Sequence, residues 1–469
     1  MATLTVHGAA REVTGSCHLL ESPALGRVLL DCGMRQGGDA VDRVQDGDFP
    51  FDARDIDAVL LSHAHLDHSG MLPRLYRAGF RGPVYCTHAT AELLDIMLRD
   101  AQGLYERDLE RDNRRNARRG RPLQEPVYTL EDVEAILDAC RGSDFGESVV
   151  LGEAATLRFH DAGHILGSAI TEIVLDEGDT AKRLVFSGDL GKRDSVLMRP
   201  PARLPRADLL LLESTYGDRE HKDEENTLAE LRGVLHDTWQ RGGNVLIPSF
   251  AVERTQELLF YLGVLHHAGE LDPWQVFLDS PMAIAVTRVY DSWLQILDDD
   301  DVRALGAAPR ASLEGFLPTL KLTEATEASM AINRIHAGAI VIAGSGMCTG
   351  GRIRHHLKHR IWDARNTLLF VGFQARGTLG RLLVDGARSI RMFGDDYVVK
   401  AQIATLGGLS AHAGQSGLLD WAAAFDNSPS TVLVHGEPQA QDALAARLRR
   451  ELGYEVRVPE RGEIGRAHV

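Results

Sequence analysis

Apolar positions at the start of this chain come in short bursts. Residues 4–7, 17–21, 28–31 and 58–62 are brief apolar runs bounded by Gly, Asp and Pro, a pattern that predicts strands. Helical periodicity follows over 69–78 and 87–101. Strands are expected again at 155–160, 170–175, 184–187 and 208–213, the last almost wholly apolar, as a buried strand would be. Strand-rich stretches broken by helices, without strict alternation, predict an α/β sandwich.

The texture changes near residue 220. Helix-period segments at 227–240, 253–265 and 283–297 alternate with β runs at 244–247, 275–278, 339–342 and 367–371. That alternation predicts βαβ units, a parallel sheet and a second domain. The tail returns to strand-like pieces at 398–405 and 431–435 and a helix over 438–452. A charged segment at 99–121 carries Arg111, Arg114, Arg115, Arg118, Arg119 and Arg121 among acids; it reads as a solvated helix and loop, or as a basic lip over a polyanion site.

Polar residues recur just past the apolar runs. In His63-Ala-His65-Leu-Asp67-His68, four ligand types fall within six residues after a strand. Residues two apart in an extended chain face the same way, so His63 and His65 can share one metal while Asp67 and His68 reach a second. Imidazole with carboxylate suits zinc or a related divalent ion. His164 follows the run ending at 160, Asp189 follows the run at 184–187, and Asp31 ends the run at 28–31. One metal would take His63, His65, His164 and Asp189; the other Asp67, His68, a bridging Asp189 and one further ligand. Two such cations, ~3.5–4 Å apart, lower the pKa of bound water from ~15.7 toward ~7 and neutralise charge on a phosphodiester. Asp31 fits better as an acceptor orienting a ligand histidine.

This set resembles the metallo-β-lactamase superfamily. Leu212-Glu213-Ser-Thr-Tyr-Gly217, Leu409-Ser-Ala-His412-Ala and Val434-His435-Gly-Glu437 resemble the A, B and C motifs of its β-CASP RNA nucleases, and Gly8-Ala-Ala-Arg-Glu-Val-Thr-Gly-Ser16 is similar to that family's start. The resemblance implies an αββα sandwich with an inserted parallel-sheet β-CASP domain. Its parts are expected at 1–218 (metallo-β-lactamase), 219–395 (β-CASP) and 396–469 (metallo-β-lactamase again). It also implies that His435 completes the second metal site, that His412 acts near the scissile phosphate, and that Glu213 orients His412. In that family a motif C histidine accompanies RNA substrates. Ser345 and Gly346 in the turn Gly344-Ser-Gly-Met-Cys-Thr-Gly-Gly351, with Arg254 and Arg376, are expected on the RNA phosphates; a packed turn and internal ion pairs are the plainer readings. Two Zn2+ are the expected cofactors, with Mn2+ as the alternative.

Composition adjusts the picture. Lys plus Arg is 51 and Asp plus Glu 67, a formal charge of −16, so RNA would have to be met by a local cleft and metal ions rather than by the global field. Five scattered cysteines without a CxxC pair predict reduced thiols. No signal peptide is visible and no run approaches the ~20 apolar residues of a membrane span, so a soluble, cytoplasmic chain is expected. The oligomeric state stays open, a homodimer included. The expected activity is hydrolysis of RNA, endonucleolytic or from the 5′ end; the alternatives are a small-molecule metallohydrolase, thioesterase- or lactamase-like, and a non-catalytic RNA-binding scaffold.

Overall fold

The computed structural model describes residues 2–35, 48–176, 181–220, 224–306, 311–372, 374–375 and 377–466. The chain divides into two compact units, one of residues 1–195, 199–220 and 412–469, the other of 196–198 and 221–411.

The first unit holds two seven-stranded sheets. One runs Ile464–Arg466, Thr3–Val6, His18–Ser22, Gly26–Leu30, Ala58–Leu60, Val84–Thr87, Cys140–Ser143; the other runs Val456–Arg457, Ser430–Val434, Leu209–Glu213, Lys182–Phe186, Ala169–Leu175, Ala155–Asp161, Ser148–Leu151. Strand Leu209–Glu213 explains why they stack. Its side chains alternate between faces: Leu209 and Leu211 join Leu30, Leu60, Leu157 and Phe186 between the sheets, whereas Leu210 and Leu212 join Leu418, Leu419 and Leu444 beneath the helices Gln415–Ala422 and Pro438–Arg447. Each buried leucine contributes about 1.5–3 kcal/mol. Helix His88–Arg118 lies against Val84–Thr87 and Cys140–Ser143 of the first sheet, completing the expected αββα layering.

That helix absorbs most of the charged segment expected to be helix and loop. Arg111 pairs with Asp108, Arg114 with Glu110 and Arg115 with Asp112 at helical spacing, so these guanidiniums are engaged along their own helix.

The second unit is built on a six-stranded parallel sheet, in the order Leu320–Leu322, Gln275–Leu278, Ala339–Ala343, Val245–Pro248, Thr367–Phe370, Gln402–Thr405. A hairpin, Ser389–Met392 with Asp395–Val398, packs Ile390 and Met392 into its core. The boundary expected at 395/396 differs from the point at which the compact units divide. Gln402–Thr405 pairs in parallel with Thr367–Phe370, and the chain rejoins the first unit only at His412. Among the described residues no helix is long and apolar enough to cross a membrane.

Candidate metal centre

Strand ends of both sheets in the first unit deliver the side chains. His63 follows Ala58–Leu60, His65 caps the short helix Leu66–Ser69, and Asp67 and His68 lie in its single turn. Asp31 follows Gly26–Leu30, and His435 follows Ser430–Val434; each leaves its strand in the left-handed region, with φ 62° and 54°. Gly33 is fixed by crowding, since a Cβ there would meet the carbonyl oxygen of Asp67 at 1.6 Å. The segment under the helix can then bond closely, Ser16 N to Asp67 O and Cys32 N to His68 O.

The side chains converge on Asp189. Its Oδ2 stands 3.3 Å from His68 Nε2, 3.6 Å from both His63 and His164 Nε2, and 3.9 Å from His412 Nε2; its Oδ1 is 3.5 Å from His435 Nδ1. His65 Nδ1 is 3.1 Å from His63 Nε2 and 3.2 Å from His164 Nε2, and His68 Nε2 is 3.1 Å from His435 Nε2. Asp67 Oδ2 lies 3.7 Å from His435 Nε2. His63, His65, His164 and Asp189 form one group able to hold an ion, and Asp67, His68 and His435 another.

The donor set fits a divalent metal. Ligand atoms on a tetrahedral zinc, with bonds of ~2.0–2.1 Å, stand about 3.3 Å apart, close to the spacing of these nitrogens. Asp189 Oδ1 is buried and accepts no hydrogen bond among the described residues. Burial holds His63 well below the ordinary imidazole range and takes His65 to about 4 against the pull of Asp67 and Asp189; neutral imidazole is the form that binds metal.

Supporting residues fix the rings. Asp31 Oδ2 accepts from His68 Nδ1 at 2.7 Å and from Ser16 Oγ at 3.0 Å, while its Oδ1 accepts from Ser62 N at 2.8 Å. Ser62 Oγ reaches His63 Nδ1 at 3.0 Å, and Thr215 Oγ1 reaches His435 Nδ1 at 3.0 Å. Sequence reasoning assigned no role to Ser16, Ser62 or Thr215; the available signals were that Ser62 adjoins His63, that Thr215 lies within motif A and that Ser16 closes the stretch Gly8–Ser16. Glu213 is fully buried. Its Oε1 accepts from Leu190 N at 2.8 Å and from His412 Nδ1 at 3.2 Å, and its Oε2 from Thr215 N at 3.1 Å. Burial disfavours a charged His412, but Glu213 and Asp189 outweigh it and raise this imidazole to about 9.

The expected phosphate-binding residues Arg254, Ser345 and Gly346 belong to the second unit. Ser345 Oγ serves the turn itself, accepting from Gly350 N at 3.2 Å, and a Cβ on Gly346 would meet the Phe250 ring at 2.7 Å. Arg254 is buried and donates to Glu257 at 2.8 Å, with Glu253 at 3.4 Å. A packed turn and an internal ion pair thus fit the contacts of these three residues; the expected phosphate contacts rest on the glycine-rich turn for Ser345 and Gly346 and on the resemblance for Arg254. Arg376 lies outside the described residues.

Comparison with known proteins agrees with this geometry. The metallo-beta-lactamase superfamily matches residues 10–234, the Beta-Casp domain 255–383, and the Zn-dependent metallo-hydrolase RNA specificity domain 396–459. Ribonuclease TTHA0252 of Thermus thermophilus is 43% identical over 457 residues, which cover 97% of this chain and 98% of that protein. The chain belongs to the β-CASP family of the metallo-β-lactamase superfamily. Another relative is transcription termination factor FttA of Methanothermobacter thermautotrophicus, 33% identical over 98% of this chain and 70% of that one. A crystal structure of a protein of unknown function from Enterococcus faecalis V583 shares the fold, with a TM-score of 0.55 and 14% identity over 99% of both chains. The His/Asp cluster suits the metal site that a Zn-dependent metallo-hydrolase needs.

Proposed function

We propose that this chain is a metal-dependent ribonuclease that hydrolyses phosphodiester bonds within RNA, using two zinc ions. The observation that carries the reading is the position of Asp189, one carboxylate facing the two ligand groups that surround it. His63, His65 and His164 with Asp189 would hold one ion, and Asp67, His68 and His435 with Asp189 the other. Bound divalent cations supply Lewis acidity at a phosphate and acidify the attacking water. Asp31, Ser62 and Thr215 pin the ligand rings from their far nitrogens. Glu213 holds His412 by Nδ1, which leaves Nε2 toward the site to give a proton to the leaving oxygen. RNA as the substrate is supported by the ribonuclease among the relatives and by the RNA specificity domain matched at 396–459.

The test is digestion of one RNA labelled at either end, beside a thioester and a cephalosporin. Internal fragments are expected. A ladder of nucleotides released from the 5′ end would replace internal cleavage by exonuclease action. Intact RNA with a hydrolysed thioester would overturn the reading, and elemental analysis finding manganese would replace zinc.

A further inference from the structure

Helix Ile353–Arg360 and its cap Arg352 make a nine-residue stretch with four Lys or Arg, three His and no acid, in a chain of net charge −16. The helix sorts these cations by face. Arg352, His356 and Arg360, four apart, turn inward. Buried Asp279 accepts from Arg352 Nη1 at 2.8 Å and contacts His356 Nε2 at 2.6 Å, while Arg360 donates to Asn333 Oδ1 at 3.0 Å and to Ile332 O at 2.6 Å. The outward Arg354, His355, Lys358 and His359 have no carboxylate partner within 4 Å among the described residues. Burial and this crowd of like charges lower the His359 imidazole.

The outward cations surround one ring. The Arg354 guanidinium lies 4.9 Å and the Lys358 ammonium 5.8 Å from the Phe393 centroid, and His355 stacks on Phe393 at 4.9 Å with 30° between the rings. Phe393 remains 46% exposed. It occupies the first turn position of the two-residue hairpin loop Phe393-Gly394, at φ 53°, with Gly394 at φ 93°. Such a loop favours Asn, Asp or Gly at that position, and a bulky side chain with positive φ is a genuine outlier. A residue that opposes its local backbone preference and yet exposes an aromatic ring is held there for its surface. The neighbouring Asp395 and Asp396 make no ion pair with Arg354 or Lys358 among the described residues.

We propose that Phe393, backed by His355 and flanked by Arg354 and Lys358, is a stacking platform for a nucleobase of single-stranded RNA, with the two cations meeting the adjoining phosphates. The inference rests on the ribonuclease reading and adds to it a subsite on the β-CASP unit. Charge decides for a polyanion: half-buried Arg354 and exposed Lys358 have no carboxylate partner among the described residues, on a strongly acidic chain.

The test is binding of a fluorescent oligouridine 20-mer to the full chain, together with thermal unfolding. Phe393→Asn suits the turn, so its melting temperature should hold or rise while RNA affinity falls roughly 5- to 100-fold. Phe393→Trp should restore most of that affinity. Arg354→Gln with Lys358→Gln should weaken binding and flatten its salt dependence. RNA bound equally by wild type and Phe393→Asn would overturn the platform and leave the patch to a protein partner. A loss shared by the Asn and Trp variants and joined to a lower melting temperature would also overturn it, making the ring a hairpin anchor. Wild-type protein that neither binds nor cuts RNA would instead sink the ribonuclease reading itself.

Discussion

Asp31 holds His68 through a 2.7 Å hydrogen bond from Nδ1 to Oδ2, and His68 Nε2 is thereby turned toward Asp189 and His435. The carboxylate sets the tautomer as well as the angle of the ring. Asp31→Asn keeps the left-handed backbone position, which Asn tolerates. It places an amide where four donors, from Ser16, Ser62 and His68, converge. Metal affinity should fall roughly 10- to 100-fold with the fold intact. Unchanged metal content at limiting zinc would show that Asp31 has no positioning role.

Asp189→Ala should empty both ion sites and abolish RNA cleavage, because one carboxylate faces both ligand groups. Elemental analysis of the purified variant checks this directly. Two equivalents of retained metal, or turnover at the wild-type rate, would refute the shared role.

His412→Ala should keep its metal yet cut roughly 10²- to 10⁴-fold more slowly. Glu213→Gln should slow cleavage through the same ring, so the double variant should lose little beyond His412→Ala alone. A marked loss of zinc from His412→Ala would reassign it as a ligand, and strictly multiplicative losses would uncouple the pair.

Chelation should inactivate the protein, and added zinc should restore cleavage. Full activity after exhaustive dialysis against EDTA would remove the metal from the chemistry.

His18 should shape the acid limb of stability. It is fully buried beneath Phe186, and burial, followed by the charges of His68 and His435, pushes it to about 3. Its folded value lies below the unfolded 6.5, so the contribution is fully present above pH 6.5 and is lost as pH falls toward 3. Between pH 6.5 and 4.5 the loss reaches at most ~3 kcal/mol. In His18→Gln, the unfolding midpoint should fall less over that interval than in wild type; parallel curves would dismiss the effect.

Chemistry carried by neighbours in the chain was legible. His63, His65, Asp67 and His68 announce themselves because four ligand types in six residues leave little else to explain them, and Asp31, His164 and Asp189 do so by following apolar strands. Ser62 and Thr215 were not, because hydroxyls hydrogen-bond almost anywhere and only the folded positions of His63 and His435 give theirs meaning. The compact units divide later than 395/396, although the RNA specificity domain matches from residue 396, because Gln402–Thr405 is a four-residue strand whose sheet is decided by a distant partner, Thr367–Phe370. The hairpin at Ser389–Met392 and Asp395–Val398 escaped notice because Phe-Gly is no ordinary turn dipeptide.

Strands Leu209–Glu213 and Ser430–Val434 lie side by side in parallel, Glu213 opposite Val434, although residues 221–411 of the second unit intervene in the chain. Synthesis runs from the N-terminus, and domains fold as they emerge. His412 and His435 leave the ribosome after the rest of the cluster has been made. A growing chain therefore does not hold both imidazoles until synthesis has passed residue 435.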